Sequence, residues 1–165
     1  MIWLCIDPGI TGTGFAVFQD KNPEPIYVHD ENKKAEWDVQ IAILARELDR
    51  IVTVWQVMKV YCEYPEWQES GKGAAAAIKG DIFKLSSVVG AFMGVCAIRN
   101  IRFIPVNVSW WKGQVSKSNV VKRIRGILPE SDWTYSEARH YTDAVGIGLY
   151  VLGLLHKPNR KFLKD

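Results

Sequence analysis

Two apolar runs open the chain, Ile2-Trp3-Leu4-Cys5-Ile6 and Phe15-Ala16-Val17-Phe18, with Gly9, Gly12 and Gly14 between them. Short apolar runs bounded by turn residues predict strands, over 1–7 and 13–20, joined as a hairpin. A third strand is predicted at Ile26-Tyr27-Val28, after Pro23 and Pro25. Trp37, Ile41, Leu44, Leu48, Ile51 and Val52 then recur at the period of one helix face and predict an amphipathic helix over 36–54. The run "VMKVYCE" at 57–63 predicts a fourth strand, and polar residues and glycines fill 65–73. A long helix is predicted from about Ala74 to Ile98, a fifth strand at 101–106 ("IRFIPV"), and shorter helices over 117–127 and 137–155.

The connections decide the sheet. Three strands joined by short turns can be antiparallel, whereas the later strands are joined through helices and should run parallel to the first. The predicted fold is therefore α/β: a mixed five-stranded sheet, three strands antiparallel and then two parallel, with helices on both faces. The whole chain, 1–165, reads as one domain. In such sheets ligands sit at the carboxyl ends of the strands. Asp7 and Glu63 both stand at predicted carboxyl ends, and strands one and four can lie side by side.

A third carboxylate lies in "ARHYTDAVGIGLY", where His140 and Asp143 are three apart and share a helix face. The small residues after Asp143 let that helix approach the sheet closely. Carboxylates gathered in a pocket repel one another and favour protons or a cation. Oxygen ligands suit Mg²⁺ or Mn²⁺, and an imidazole can join them. Two such ions about 3.5–4 Å apart can clamp the attacking and leaving oxygens of a phosphodiester. Singly, each residue has a plainer reading. Asp7 can be a turn former before Pro8-Gly9, Glu63 a strand-end surface residue, His140 an ordinary helix residue and Asp143 a cap. The set, at positions able to converge, points to metal-dependent phosphoryl transfer.

Charge sharpens the picture. The net charge is +3. Residues 1–66 carry 11 acids and 6 bases, while residues 67–165 carry 7 acids and 15 bases. Arg99, Arg102, Lys112, Lys117, Lys122, Arg123 and Arg125 follow one another without an intervening acid. Such a stretch is either a solvated cationic face or a phosphate-binding surface. The 48% hydrophobic and 24% charged content is that of a globular protein. No run reaches the ~18–20 uninterrupted apolar residues of a membrane span, and no signal-peptide pattern opens the chain. Cys5, Cys62 and Cys96 sit in apolar contexts without metal-type spacing, which suggests buried, reduced thiols in a cytoplasmic protein.

Taken in order, the motifs resemble the RuvC family of Holliday-junction resolvases, within the RNase H-like superfamily. "IDPGITGTGFAVF" is similar to the family's opening motif, "VYCEYPEW" to the motif carrying its glutamate, and "HYTDAVGIGLY" to its final motif. "WWKGQVSKSNVVKRI" resembles its basic stretch. The resemblance covers most of the chain and implies a homodimeric, Mg²⁺- or Mn²⁺-dependent endonuclease with two ions per site, cutting four-way DNA junctions in recombination and repair. Asp7, Glu63, His140 and Asp143 would be catalytic and metal-binding, and Lys117 catalytic as well as DNA-binding. Lys112, Lys122, Arg123 and Arg125 would contact DNA. Trp67 would stack at the junction centre, its plainer alternative being to pack on the neighbouring helix of its own chain, and Lys72 in the same loop would join the DNA-binding set. The helix at 74–98 would supply the dimer contact: Ile78, Ile82, Leu85, Val89 and Phe92 recur at three to four residues, Ala74–Ala77 and Ala91 supply small contacts elsewhere, and one apolar stripe can cover the sheet while a second patch pairs with its copy. A merely buried central helix is the plainer alternative. The loop "PEWQESGKG" and the wording between the lysines depart from the housekeeping bacterial pattern, as in a phage or mobile-element relative. The implied location is the cytoplasm of a bacterium or a phage-infected cell.

Three rivals remain. Sugar-kinase and actin-like ATPases also open on a strand, an aspartate and a Gly/Thr-rich turn, but need two facing domains. The chain has no G-x-x-x-x-G-K-[ST] loop; "SGKGA" lacks the first glycine and the Ser/Thr. A non-catalytic branched-DNA-binding protein would keep the basic stretch but has no need of the acids. A nuclease of the same fold could act on flaps, forks or RNA–DNA hybrids.

Overall fold

The structure, a computed structural model, describes residues 1–32, 35–64, 80–113 and 115–155. Strands β1 (Ile2–Asp7), β2 (Thr13–Gln19), β3 (Tyr27–Glu31), β4 (Lys59–Tyr64) and β5 (Arg102–Asn107) form one sheet in the order β3-β2-β1-β4-β5. β1–β2 and β2–β3 are antiparallel, while β1–β4 and β4–β5 are parallel. The mixed five-stranded sheet expected from the connections is the one formed. Helices α1 (Trp37–Val54), α2 (Asp81–Ile98), α3 (Val108–Trp111), α4 (Lys117–Ile127) and α5 (His140–Val151) cover it.

Strand alternation divides the core between the two faces. Trp3, Cys5, Ala16, Phe18 and Val106 pack with α4 and α5. Leu4, Ile6, Phe15, Val17, Val60 and Cys62 pack with α1 and α2. Burial on both faces is why β1 and β2 read as continuous apolar runs rather than alternating ones. α5 comes close because it carries glycine where bulk would collide. A Cβ at Gly146 would stand 2.6 Å from Trp111 Cζ3, and one at Gly148 would overlap the Phe18 ring. Cys5, Cys62 and Cys96 are free and buried.

Several boundaries differ from the sequence pattern. β3 continues to Glu31, because its polar residues alternate between faces and the ladder with β2 runs to Thr13. β4 starts at Lys59; Val57 is buried ahead of it, its N–H bonded to the Val52 carbonyl. Trp37 is exposed, at the first turn of α1, and buried Gln40 takes part of the stripe instead. α5 starts at His140 rather than 137 and ends at Val151, with left-handed Gly153 following. α2 starts at Asp81. Gly80 precedes it with φ 75°, a left-handed conformation that no continuous helix through this point accommodates. Ala74–Ala77 and Ile78 lie outside the described residues.

α2 has the length and composition of a membrane-crossing helix, with mean hydropathy 1.6, and 22% of it is buried. It lies on the sheet and α1 through Val88, Val89, Phe92 and Cys96, while Ile82 and Leu85 are partly buried. Phe83, Met93 and Ile98 face outward, with exposed Gly90 and Gly94 between them.

Candidate active site

β1 and β4 run parallel with Ile6 beside Cys62, so the residues that follow, Asp7 and Glu63, stand at the carboxyl ends of neighbouring strands, last in β1 and last but one in β4. Both side chains fall on the α5 side, in alternation with Cys5 and Tyr61. The antiparallel partner of Asp7 is Gly14. A Cβ at Gly14 would overlap the His140 carbonyl group and the Tyr141 nitrogen, so only glycine lets the amino end of α5 rest on β2 here. A Cβ at Gly12 would overlap the His140 ring. The glycine turn noted in the sequence is therefore the seat of His140.

His140 Nδ1 stands 3.7 Å from Asp7 Oδ2. The Asp7 carboxyl is held above its ordinary range, first by burial and further by the charge of Asp143, with His140 pulling it back. His140 is raised in turn, chiefly by the Asp7 carboxylate beside it, against burial. Glu63 is pushed up to about 8, by burial first and then by the Asp7 charge; Lys112 and the Trp111 indole act in the opposite direction. That indole N–H donates to Glu63 Oε2 at 3.0 Å.

Asp143 sits one turn beyond His140 and is 4% exposed. Lys117 Nζ lies 3.2 Å from its Oδ2, and Lys112 Nζ lies 3.5 Å from its Oδ1. Oδ1 is nevertheless buried without a hydrogen bond. Lys112 also lies over the Trp111 ring, 5.3 Å from its centroid. Lys117 comes from the first turn of α4, where Ser116 accepts the Asn119 N–H and caps the helix.

Asp7, Glu63, His140, Asp143, Lys112 and Lys117, all singled out in the sequence, are thus gathered at one end of the sheet. Lys122 and Arg123 are exposed on α4. Arg125 is on the same helix but donates to the Tyr135 carbonyl at 2.7 Å, a tie within the fold. Trp67 and Lys72 lie outside the described residues. Two further residues shape the site without having been anticipated. Trp111 holds Glu63. Asp30, on β3 with its side chain 5% exposed, accepts the Tyr141 N–H at 2.6 Å and so caps α5 from another strand.

This donor set fits a hard divalent cation. Two raised carboxyl groups, and a buried Asp143 oxygen that Lys112 faces without a hydrogen bond, signal negative charge that the lysines offset only in part and a cation would relieve. Carboxylate oxygens with one imidazole suit Mg²⁺ or Mn²⁺.

The fold is RNase H-like, of the RuvC type. Thermus thermophilus RuvC in complex with a Holliday junction substrate superposes with a TM-score of 0.70 at 16% identity, over 94% of this chain and 98% of that one. A second Thermus thermophilus RuvC structure gives 0.66 at 17% identity, over 96% and 100%. The yeast mitochondrial Holliday junction resolvase Ydc2 gives 0.56 at 15% identity, over 93% and 77%. At these identities the likeness is one of fold. No protein-family model and no curated protein sequence matches the chain.

Proposed function

We propose that the protein is a metal-dependent endonuclease that hydrolyses phosphodiester bonds at four-way DNA junctions, acting as a homodimer. The observation that carries this reading is the convergence of Asp7, Glu63 and Asp143 beside two lysines, at the strand ends of a RuvC-like fold. The junction-bound RuvC among the similar structures supports the choice of substrate. Asp7, Glu63 and Asp143 would hold Mg²⁺ or Mn²⁺, two ions per site, with His140 as a ligand or as the group that takes a proton from the attacking water. The bound ions would supply Lewis-acid polarisation of the phosphate and a more acidic water. Lys117 faces the same space and would offset charge that develops on the phosphate. Lys112 lies beside it, and exposed Lys122 and Arg123 would hold the DNA backbone, which positions a duplex without reading it. Trp67 would stack at the junction centre, and Lys72 would contact DNA. The outward face of α2, with Phe83 76%, Met93 47% and Ile98 85% exposed around two small glycines, would pair with its copy about a twofold axis.

A Mg²⁺ reaction panel of four-way junction, flap, fork, RNA–DNA hybrid and linear duplex tests the reading. Preferential cleavage of the four-way junction is expected. Asp7→Asn should abolish it while junction binding in Ca²⁺ persists, because phosphate contacts elsewhere dominate affinity. Wild-type cleavage by Asp7→Asn would remove the proposed site, and preference for a flap or hybrid would remove the proposed substrate.

A further inference from the structure

On the opposite face of the sheet from the carboxylates lies a second cluster. His29 and Glu31 are two apart on β3 and point towards α1, where Glu47 meets them. One ligand atom from each lies within 4.8 Å of the others. We propose that His29, Glu31 and Glu47 bind a first-row divalent transition cation of the Zn²⁺ type, tying the edge strand to the helix.

Three observations carry this. First, His29 Nε2 is buried and makes no hydrogen bond, although Glu47 Oε1 is 3.4 Å away and Glu31 Oε2 is 3.7 Å away. Ligand atoms at tetrahedral corners about 2.0–2.2 Å from a zinc ion are themselves about 3.3–3.6 Å apart, so this spacing resembles a ligand shell more than a hydrogen-bonded pair. Secondly, the Glu31 side chain is nine-tenths buried and, among the described residues, meets no cation except through His29. A carboxylate in that position is costly unless paired. Thirdly, the ligands are already oriented. His29 stacks with both Phe15 and Tyr27, with ring centroids 6.2 Å from each. Arg50 grips Glu47 through both oxygens, at 2.6 and 3.0 Å, and also donates to the Tyr27 hydroxyl at 3.1 Å. Each carboxylate oxygen retains a free lone pair, so Arg50 acts as an outer-shell partner that fixes the ligand. One imidazole with two carboxylates favours Zn²⁺ or a similar ion over Ca²⁺, which takes oxygen alone.

The site has a structural consequence. Asp30, which caps α5, lies between His29 and Glu31, and Glu31 pairs with Thr13 at the end of the glycine turn. A cation here would hold the strand that seats the helix carrying His140 and Asp143.

The test uses the full chain, stripped with chelator, in an Asp7→Asn/Asp143→Asn background that disables the active site. Calorimetric titration with Zn²⁺ should show one ion per chain and a raised melting temperature. Co²⁺ should give a visible spectrum without thiolate charge-transfer bands. His29→Gln should weaken Zn²⁺ binding at least about 100-fold, since losing even an outer-shell partner costs 10–100-fold. Glu31→Gln, checked for folding by circular dichroism, should do the same and decides the matter if His29→Gln does not fold. Absence of stoichiometric binding in the background variant overturns the proposal. So does Zn²⁺ affinity that survives both substitutions, which would assign binding to other groups such as His156.

Discussion

Trp111→Phe isolates one bond at the candidate active site. The substitution removes the indole N–H that meets Glu63 Oε2 at 3.0 Å and leaves an aromatic ring. A hydrogen bond to a charged group contributes about 1.5–3 kcal/mol. At ~1.4 kcal/mol per unit, this equals about one to two units in the ionisation of Glu63. Water entering the space left by the smaller ring recovers part of it, so a rise of about one unit is expected. Glu63 is already pushed up to about 8, and only its ionised form is a metal ligand. Wild-type affinity for Mn²⁺ should therefore climb roughly tenfold per pH unit up to about 8 and then level. In Trp111→Phe the levelling should come about one unit later. Mn²⁺ binding followed by electron paramagnetic resonance between pH 6 and 9, without DNA, reads this directly. The midpoint matters more than the amplitude, because Trp111 is also a core residue. Lost packing weakens binding at every pH, whereas a lost donor moves the midpoint. Affinity flat across this range in the wild type, or an unmoved midpoint in the variant, refutes the reasoning.

Four further outcomes are expected. The metal-free protein should lose thermal stability as pH rises from about 5 to about 8. Asp7, Glu63 and His140 are all raised, so the folded state holds protons that the unfolded chain has released, and Glu63→Gln should flatten the melting curve against pH; stability that rises over this range contradicts it. Gly14→Ala should cost about 1–3 kcal/mol in chemical denaturation and lower single-turnover cleavage about 100-fold, because its Cβ would displace the His140 backbone; wild-type cleavage would show that α5 does not need that seat. Gly90→Arg, on an open stretch of α2, should leave the fold intact and shift sedimentation to monomer; an unchanged dimer would place the interface elsewhere. Lys117→Ala should lower the saturated cleavage rate, whereas Lys122→Ala should weaken junction binding and reduce its salt slope by about one; a Lys117→Ala enzyme that cleaves normally once saturated belongs with the backbone contacts.

The sheet was legible because its strands are apolar runs punctuated by glycine and proline, and because connection type fixes direction. The carboxylates were legible for a related reason. A lone acid ending a buried strand must face something, and parallel β1 and β4 bring two such ends together. Asp30 and Trp111 were not legible. Their partners lie 111 and 48 residues away in sequence, and no periodicity links them. "VHDEN" reads as a polar strand end, and nothing in it says that the middle residue caps a helix while its neighbours face the other way. The Arg125 tie was not legible either, since a basic helix shows its charge in sequence but not the carbonyl that engages it.

On the proposed reading, the lysines explain how a metal site can fold before any cation arrives. Three carboxylates at the buried end of a sheet oppose one another, and Asp7 and Glu63 respond by leaning towards their protonated forms. Asp143 is the most enclosed of the three, and two ammonium groups stand against it. Both lysines are about three-quarters buried, their stems lining the site and their charged ends meeting the carboxylate. An ammonium is a point charge on a flexible stem, whereas a guanidinium would grip the carboxylate with two fixed bonds. Lysine therefore suits the proposed role, in which compensation has to be surrendered: it pairs with Asp143 in the metal-free protein and would swing a short distance to meet a phosphate. An arginine at 117 would keep the charge and obstruct the exchange. On this argument Lys117→Arg should bind junction DNA normally yet require more Mg²⁺ for half-maximal cleavage, and an unchanged Mg²⁺ requirement would show that the lysine never competes for Asp143.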